Sequence, residues 1–300
     1  MRFKTKTRVY GLLFILPVLA VFGICRIFPL FDSIYLSFFR INFASGRRSF
    51  AGLENYMEFF RDTIALGAFK NTLIFVLMIV PVGMLISLLL ALLLSTFTKR
   101  IFKLREVYKL IYFLPVITNA VALSFVWQNA IFQPKFGLVN ALLGSLGLPR
   151  LGLLVDPNQA LICIVIFVLW QYCGYYMIVY LAGLENIPPI YYEAARIDGA
   201  SKFQCFRYIT LPLLAPIALF VGIMWTIGSL QVFTPVYIMT GGGPMNSTNV
   251  AVLYIYQSAF EYLKFGYGST MAVLLFLLIF LITVLELKVF RPRRETGGRL

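Results

Sequence analysis

Apolar runs of about twenty residues recur along the chain, parted by short polar stretches that hold nearly all the charge. A helix needs roughly 20 apolar residues to cross a bilayer. Six spans are therefore predicted, at about 10–31, 72–97, 110–132, 159–184, 213–239 and 267–289. The first holds Arg26; the second and fourth are free of charge. No charge occurs from Tyr208 to Phe260, which is too long for one span. Gly241-Gly242-Gly243-Pro244 breaks that run, because such a cluster does not sit in a lipid-exposed helix. Residues 245–265 then read as an external loop with a short helix.

Composition agrees with an all-α membrane protein. Of the 300 residues, 60% are hydrophobic and only 13% charged, against about 45–50% and about 25% in a soluble domain. Lipid is the solvent that such a surface requires. The net charge of +14 does not point to nucleic acid, because the basic residues lie in short runs between spans. Seventeen of the 26 Lys and Arg fall in the N-tail, the loops after spans two and four, and the C-tail; eight fall in the other loops. The basic side is the cytoplasmic one, so both termini are expected inside. The basic N-tail before an apolar run also resembles a signal peptide, but the run passes Arg26 to Phe31 without a small-residue cleavage site.

Candidate chemistry is sparse. There is no histidine, hence neither the commonest general base nor the commonest metal ligand. The four cysteines, Cys25, Cys163, Cys173 and Cys205, have no C-x-x-C spacing, so neither a zinc site nor a disulfide framework is expected. No phosphate-binding G-x-x-x-x-G-K-[ST] loop is present, so the chain does not bind ATP in that manner.

The most informative polar stretch is 192–212, between spans four and five. Pro188-Pro189 ends span four and can open a helix over 190–198, with Glu193 suited to its positive N-terminal end. Gly199 permits a turn. Ser201 with Gln204 fits a capping box that starts a second short helix, placing Phe203 and Phe206 on one side. Two readings fit: an amphipathic pair lying on lipid, or a rigid knob that docks on a partner.

Glu193-Ala194-Ala195, Gly199, Ile209, Leu211 and Pro212 match E-A-A-x3-G-x9-I-x-L-P at every fixed position. The stretch resembles the EAA loop of binding-protein-dependent ABC permeases. Gly52-Leu53-Glu54-Asn55-Tyr56, Phe113-Leu114-Pro115, Gly137-Leu138-Val139-Asn140 and Thr240-Gly241-Gly242-Gly243-Pro244 extend the likeness to the first permease of maltose/glycerol-phosphate-type importers. The maltose permease itself differs, carrying extra N-terminal spans and a large external insertion. The resemblance implies a type I ABC importer transmembrane domain over residues 1–300, in a bacterial inner membrane. It implies a second permease, two ABC ATPase copies that use ATP and Mg, and an extracytoplasmic solute-binding protein. No cofactor is expected on this chain. Glu193, Ala194, Ala195, Asp198, Gly199, Phe203 and Phe206 would form the coupling helices that enter the ATPase.

The cargo that the resemblance implies is a sugar, an oligosaccharide or a related polyol phosphate, and a sugar pathway wants aromatic faces with amides or hydroxyls. Tyr172, Tyr175 and Tyr176 share one face of span four, with Gln171 beside Tyr175. Trp225, Ser229 and Val232 share a face of span five, near Gln231 and Thr234. In the resembled family, spans four to six of the first permease line the sugar pocket, and Tyr172, Tyr175, Trp225 and Ser229 are the positions most similar to that lining. Tyr180, Tyr191 and Tyr192 read instead as interfacial anchors. Arg26 is expected to snorkel outward, and Glu286, near the inner end of span six and close to Lys288, to form an interfacial or inter-subunit pair. An ATP-independent transporter or channel would leave the loop unexplained. A membrane-embedded lipid-modifying enzyme lacks its base, nucleophile or metal set.

Overall fold

A computed structural model describes residues 14–42, 47–97 and 102–289. The basic N-tail, Lys99, Arg100 and the C-tail arginines, on which much of the orientation argument falls, lie outside the described residues. Among the described residues, five helices are long and apolar enough to cross a membrane, and a sixth span results if one bent pair is counted together. The described residues divide into two compact units.

The first unit comprises residues up to Thr63 together with Tyr254–Leu277. Helix α1, Phe14–Leu36, has no buried residue, and Arg26 sits exposed in a π-helical turn at Gly23–Ile27. An antiparallel hairpin follows, β1 (Phe39–Asn42) pairing β2 (Arg47–Phe50), with Phe39 opposite Phe50. Helix α2, Glu54–Arg61, packs under it through buried Asn55, whose Nδ2 donates to the carbonyls of Ser37 and Phe39 at 2.8 and 3.1 Å. The Asp62 carboxylate accepts from the phenols of Tyr254 and Tyr267 at 2.8 and 2.9 Å. Burial, and after it the neighbouring Asp62, pushes the Tyr254 phenol above its ordinary range, so it remains a donor to Asp62 at neutral pH. A cavity of about 330 Å³ lies between Arg40, Glu58, Lys264 and Tyr267. Exposed ion pairs line it, Arg40–Glu58 at 3.4 Å and Lys264–Glu58 at 3.6 Å. Pairs of this kind contribute little stability.

The second unit comprises Ile64–Leu253 and the chain from Leu278. Helix α3, Thr63–Phe97, leads to α4, Phe102–Ile117. The chain then turns by 94° into Ala120–Ile131, made of α5 (Ala120–Val126) and a π-helical turn. The third predicted span is therefore bent rather than straight. Asn119 makes the break: its side chain accepts from the N–H groups of Val121 and Ala122 at 2.9 and 3.2 Å, which starts a new helix. After α6, Leu138–Ser145, comes α7, Ala160–Glu185. Its most apolar stretch is 61% buried against 22% for α3, so α7 is the central helix. Tyr180 is 1% exposed and packs in this core beside Met177 and Leu214. It is a core residue, not the interfacial anchor its residue type suggested.

Two short helices, α8 (Pro189–Ile197) and α9 (Lys202–Cys205), precede α10, Leu211–Leu230. The chain breaks at 231–233 before α11, Thr234–Met239, and the Gly cluster follows with left-handed Gly241 and Gly242. Helix α12, Ala251–Tyr256, lies in the stretch expected to hold a short helix. Helix α13, Phe265–Val289, ends the described chain. Helices α5 and α11 pack together, and Gln128 Nε2 donates to the Met239 carbonyl at 3.1 Å.

Candidate functional site

A cavity of about 250 Å³ lies where α5 and α11 begin, between α7 and α10. Tyr172 and Tyr176 reach it from α7, one turn apart on the same face. Trp225 and Ser229 reach it from α10, Gln231 from the break that follows and Thr234 from the start of α11. The Tyr176 and Trp225 rings sit 4.5 Å apart and form a continuous aromatic wall. Trp225 is held from behind: a Cβ on Gly83 of α3 would lie 2.7 Å from the indole. Glycine there lets the ring settle against the helix backbone. The Ser229 hydroxyl donates to the Trp225 carbonyl at 2.6 Å, while the buried Trp225 indole N–H has no partner among the described residues. Among the described residues no charged side chain lines this cavity. Its lining can stack on and hydrogen-bond to a neutral polyhydroxylated molecule.

Five of the seven residues expected along a pathway thus share one cavity: Tyr172, Tyr176, Trp225, Ser229 and Gln231. Two do not. Gln171 is 2% exposed, within the core side of α7, and Tyr175 turns to the exposed side, meeting Tyr176 edge-on at 5.1 Å. Ala120, Val168, Gly228 and Phe233 also line the cavity. They are small or apolar, and only the bend in the third span signals Ala120.

The second feature is the knob between α7 and α10. Pro189 opens α8 after Pro188. Glu193 falls in the second turn, past the first-turn positions where the helix dipole acts most strongly, so the expected dipole role does not hold. The end of α8 closes with the two hydrogen bonds of a Schellman motif. The N–H of Gly199 donates to the Arg196 carbonyl at 3.1 Å and that of Ala200 to the Ala195 carbonyl at 2.8 Å. Gly199 sits at φ +77°, a conformation that glycine adopts at no steric cost. The capping box is present: Ser201 Oγ accepts from the Gln204 N–H, and Gln204 Oε1 from the Ser201 N–H. Tyr192 and buried Thr210 share a hydroxyl hydrogen bond of 2.9 Å that ties the two arms together. On this fixed frame Glu193, Ala194, Asp198 and Gly199 are exposed, Ala195 and Phe206 half-buried. Ile197 is 86% and Phe203 73% exposed. A rigid segment whose apolar side chains face outward is built for contact.

Residues 71–296 match the family described as binding-protein-dependent transport system inner membrane component. The chain is 34% identical over 294 residues to the lactose transport system permease protein of Rhizobium radiobacter, covering 95% of each chain. It is 33% identical over 303 residues to the trehalose/maltose transport system permease protein of Thermococcus litoralis, covering 98% of each. Among solved structures, a chain of a bacterial ABC transporter that imports the acidic polysaccharide alginate matches with a TM-score of 0.82 at 23% identity, over 99% of this chain and 100% of that one.

Proposed function

The chain belongs to the family of inner membrane components of binding-protein-dependent transport systems, and on that premise we propose that it is one of two permease subunits of an ATP-driven carbohydrate importer. It is a multi-pass transporter subunit rather than an enzyme. The whole chain serves as one transmembrane domain of a bacterial inner membrane, with the knob and both termini on the cytoplasmic side. The observation that carries the reading is the outward-facing knob at 189–210, braced at both ends and presenting Phe203. It seats in an ABC ATPase that uses ATP and Mg. Closure of two such ATPases moves the membrane helices between inward- and outward-open states around a site within the spans. An extracytoplasmic solute-binding protein delivers the sugar.

The cavity supports a neutral sugar or oligosaccharide as cargo. Sugars are held by stacking on aromatic rings and by neutral donors and acceptors, and Tyr172, Tyr176, Trp225 and Gln231 supply these. At about 250 Å³ the cavity falls below the ~300–1,000 Å³ of most ligand pockets. A second permease facing it would complete the volume. The test is ATP-dependent uptake of lactose and trehalose by vesicles holding this chain with its genomic partners. Uptake should vanish when the ATPase is left out; uptake by the chain alone overturns the proposal. Tyr172→Ala removes one stacking face and should weaken sugar binding to the purified assembly by about tenfold, the equivalent of ~1.4 kcal/mol.

A further inference from the structure

Glu286 is a carboxyl side chain in the last turn of the membrane-spanning helix α13, and its hydrogen-bond partner lies on another helix. Its Oε1 accepts a hydrogen bond of 2.6 Å from the hydroxyl of Thr226 on α10. Its Oε2 is buried and has no partner among the described residues. Thr226 lies 15 residues after Leu211, the start of α10, or roughly 22 Å along it at 1.5 Å per residue. Thr226 is 1% exposed, so the bond is made inside the packed helices. Burying the carboxyl group there costs free energy, since one oxygen keeps no hydrogen bond, and a hydrophobic residue would pack without that cost. Thr226 follows Trp225 directly and stands one turn before Ser229; the three are 1–3% exposed. The bond thus joins α13 to the segment of α10 that forms the cavity wall.

A helix that is apolar all round gains nearly the same burial in any rotation about its axis. Helix α10 reads LPLLAPIALFVGIMWTIGSL, and its polar side chains cluster at Trp225, Thr226 and Ser229. In a low-dielectric interior a hydrogen bond to a carboxylate is strong and directional. We propose that Glu286 is a positioning residue for the cavity: through Thr226 it fixes the rotation of α10, so that Trp225, Gly228 and Ser229 face the cavity. This rests on the cavity being the sugar site, and the two claims separate experimentally.

The probe is Gly228→Cys, at a cavity-lining position where a Cβ meets nothing within 4 Å, with Cys25 and Cys205 changed to Ser. The full assembly in membrane vesicles is labelled with a methanethiosulfonate reagent. Thr226→Val and Glu286→Leu should each slow labelling about fivefold, as the lost hydrogen bond lets the rotation shift. The double variant should be no slower than either, and Glu286→Gln, which keeps an acceptor for Thr226, should stay within about twofold of the parent. Unchanged labelling in Thr226→Val, or equal slowing by Gln and Leu, overturns the proposal. Where Glu286→Leu fails to assemble, Thr226→Val, nearly the same in volume, decides alone. Sugar binding by Tyr172→Ala reports the sugar role separately: unchanged binding there sinks the cavity reading, whereas the labelling of the Thr226 and Glu286 variants decides the positioning proposal.

Discussion

Gly199→Pro is expected to reduce ATP-driven uptake to background while leaving the chain inserted and the spans folded. Proline fixes φ near −65°, and Gly199 sits at +77°, so the turn after α8 cannot form. The substitution also removes the N–H that donates to the Arg196 carbonyl. Both halves of the turn are lost, and the direction in which α9 leaves it changes. Phe203 is carried on α9, so the exposed face of the knob is lost as a unit. Gly199→Ala is the graded comparison. It keeps the N–H, its Cβ meets nothing within 4 Å, and it bears only the left-handed backbone cost of about 1–2 kcal/mol. Uptake should fall by roughly tenfold in the alanine variant and below detection in the proline variant. ATPase stimulation by the loaded solute-binding protein should decline in parallel. Protease protection of the spans measures insertion and should match the parent. Normal uptake by Gly199→Pro would mean that the knob does not transmit ATPase motion.

The knob was legible because each of its parts is local. A proline in a first turn, a glycine after a helix and a Ser-x-x-Gln box each specify a backbone geometry within four residues, and all three are found. The cavity was legible where helices are regular: Tyr172 with Tyr176, and Trp225 with Ser229, are single steps of i to i+4. A helix face is wider than the cavity, so Tyr175 shares the stripe but not the cavity lining. Hydropathy counts apolar residues and is blind to their direction, which is why the 94° turn at Asn119 was hidden inside one apolar run. Only the Asn119 cap marks it. The sequence around Glu286 shows Lys288 as the nearest charge, yet the hydrogen-bond partner of Glu286 is 60 residues away. Tyr180 shows the same limit: the phenol ring suits an interface, but its burial depends on what α7 packs against. Residue type sets what a side chain can do; the packing of α7 and α10 sets which of these it does.

The packing of α7 itself yields the second large effect. Gly174→Ala should lower the thermal stability of the detergent-solubilised assembly by several degrees, and Gly174→Val should prevent its assembly. A Cβ at Gly174 would overlap the carbonyl oxygen of Tyr112 on α4. That atom belongs to the backbone, so no rotamer change relieves the overlap and the two helices must part. Small residues at such crossings let membrane helices approach closely. Here the contact closes the most extensive helix pairing in the second unit, α4 on α7. Forced overpacking costs about 1–3 kcal/mol or more, and each kcal/mol corresponds to ~2–4 °C for a domain of this size. Displacing α4 also shifts Asn119 and the start of α5, which borders the cavity through Ala120, so sugar binding should weaken with stability. Gly67→Ala on α3 is the counterpart, where a Cβ meets nothing within 4 Å. The helix there gains up to ~1 kcal/mol of propensity, and the melting temperature should hold or rise. Scanning fluorimetry on the two alanine variants checks the argument directly. If Gly174→Ala melts with the parent, α4 and α7 do not meet at that crossing.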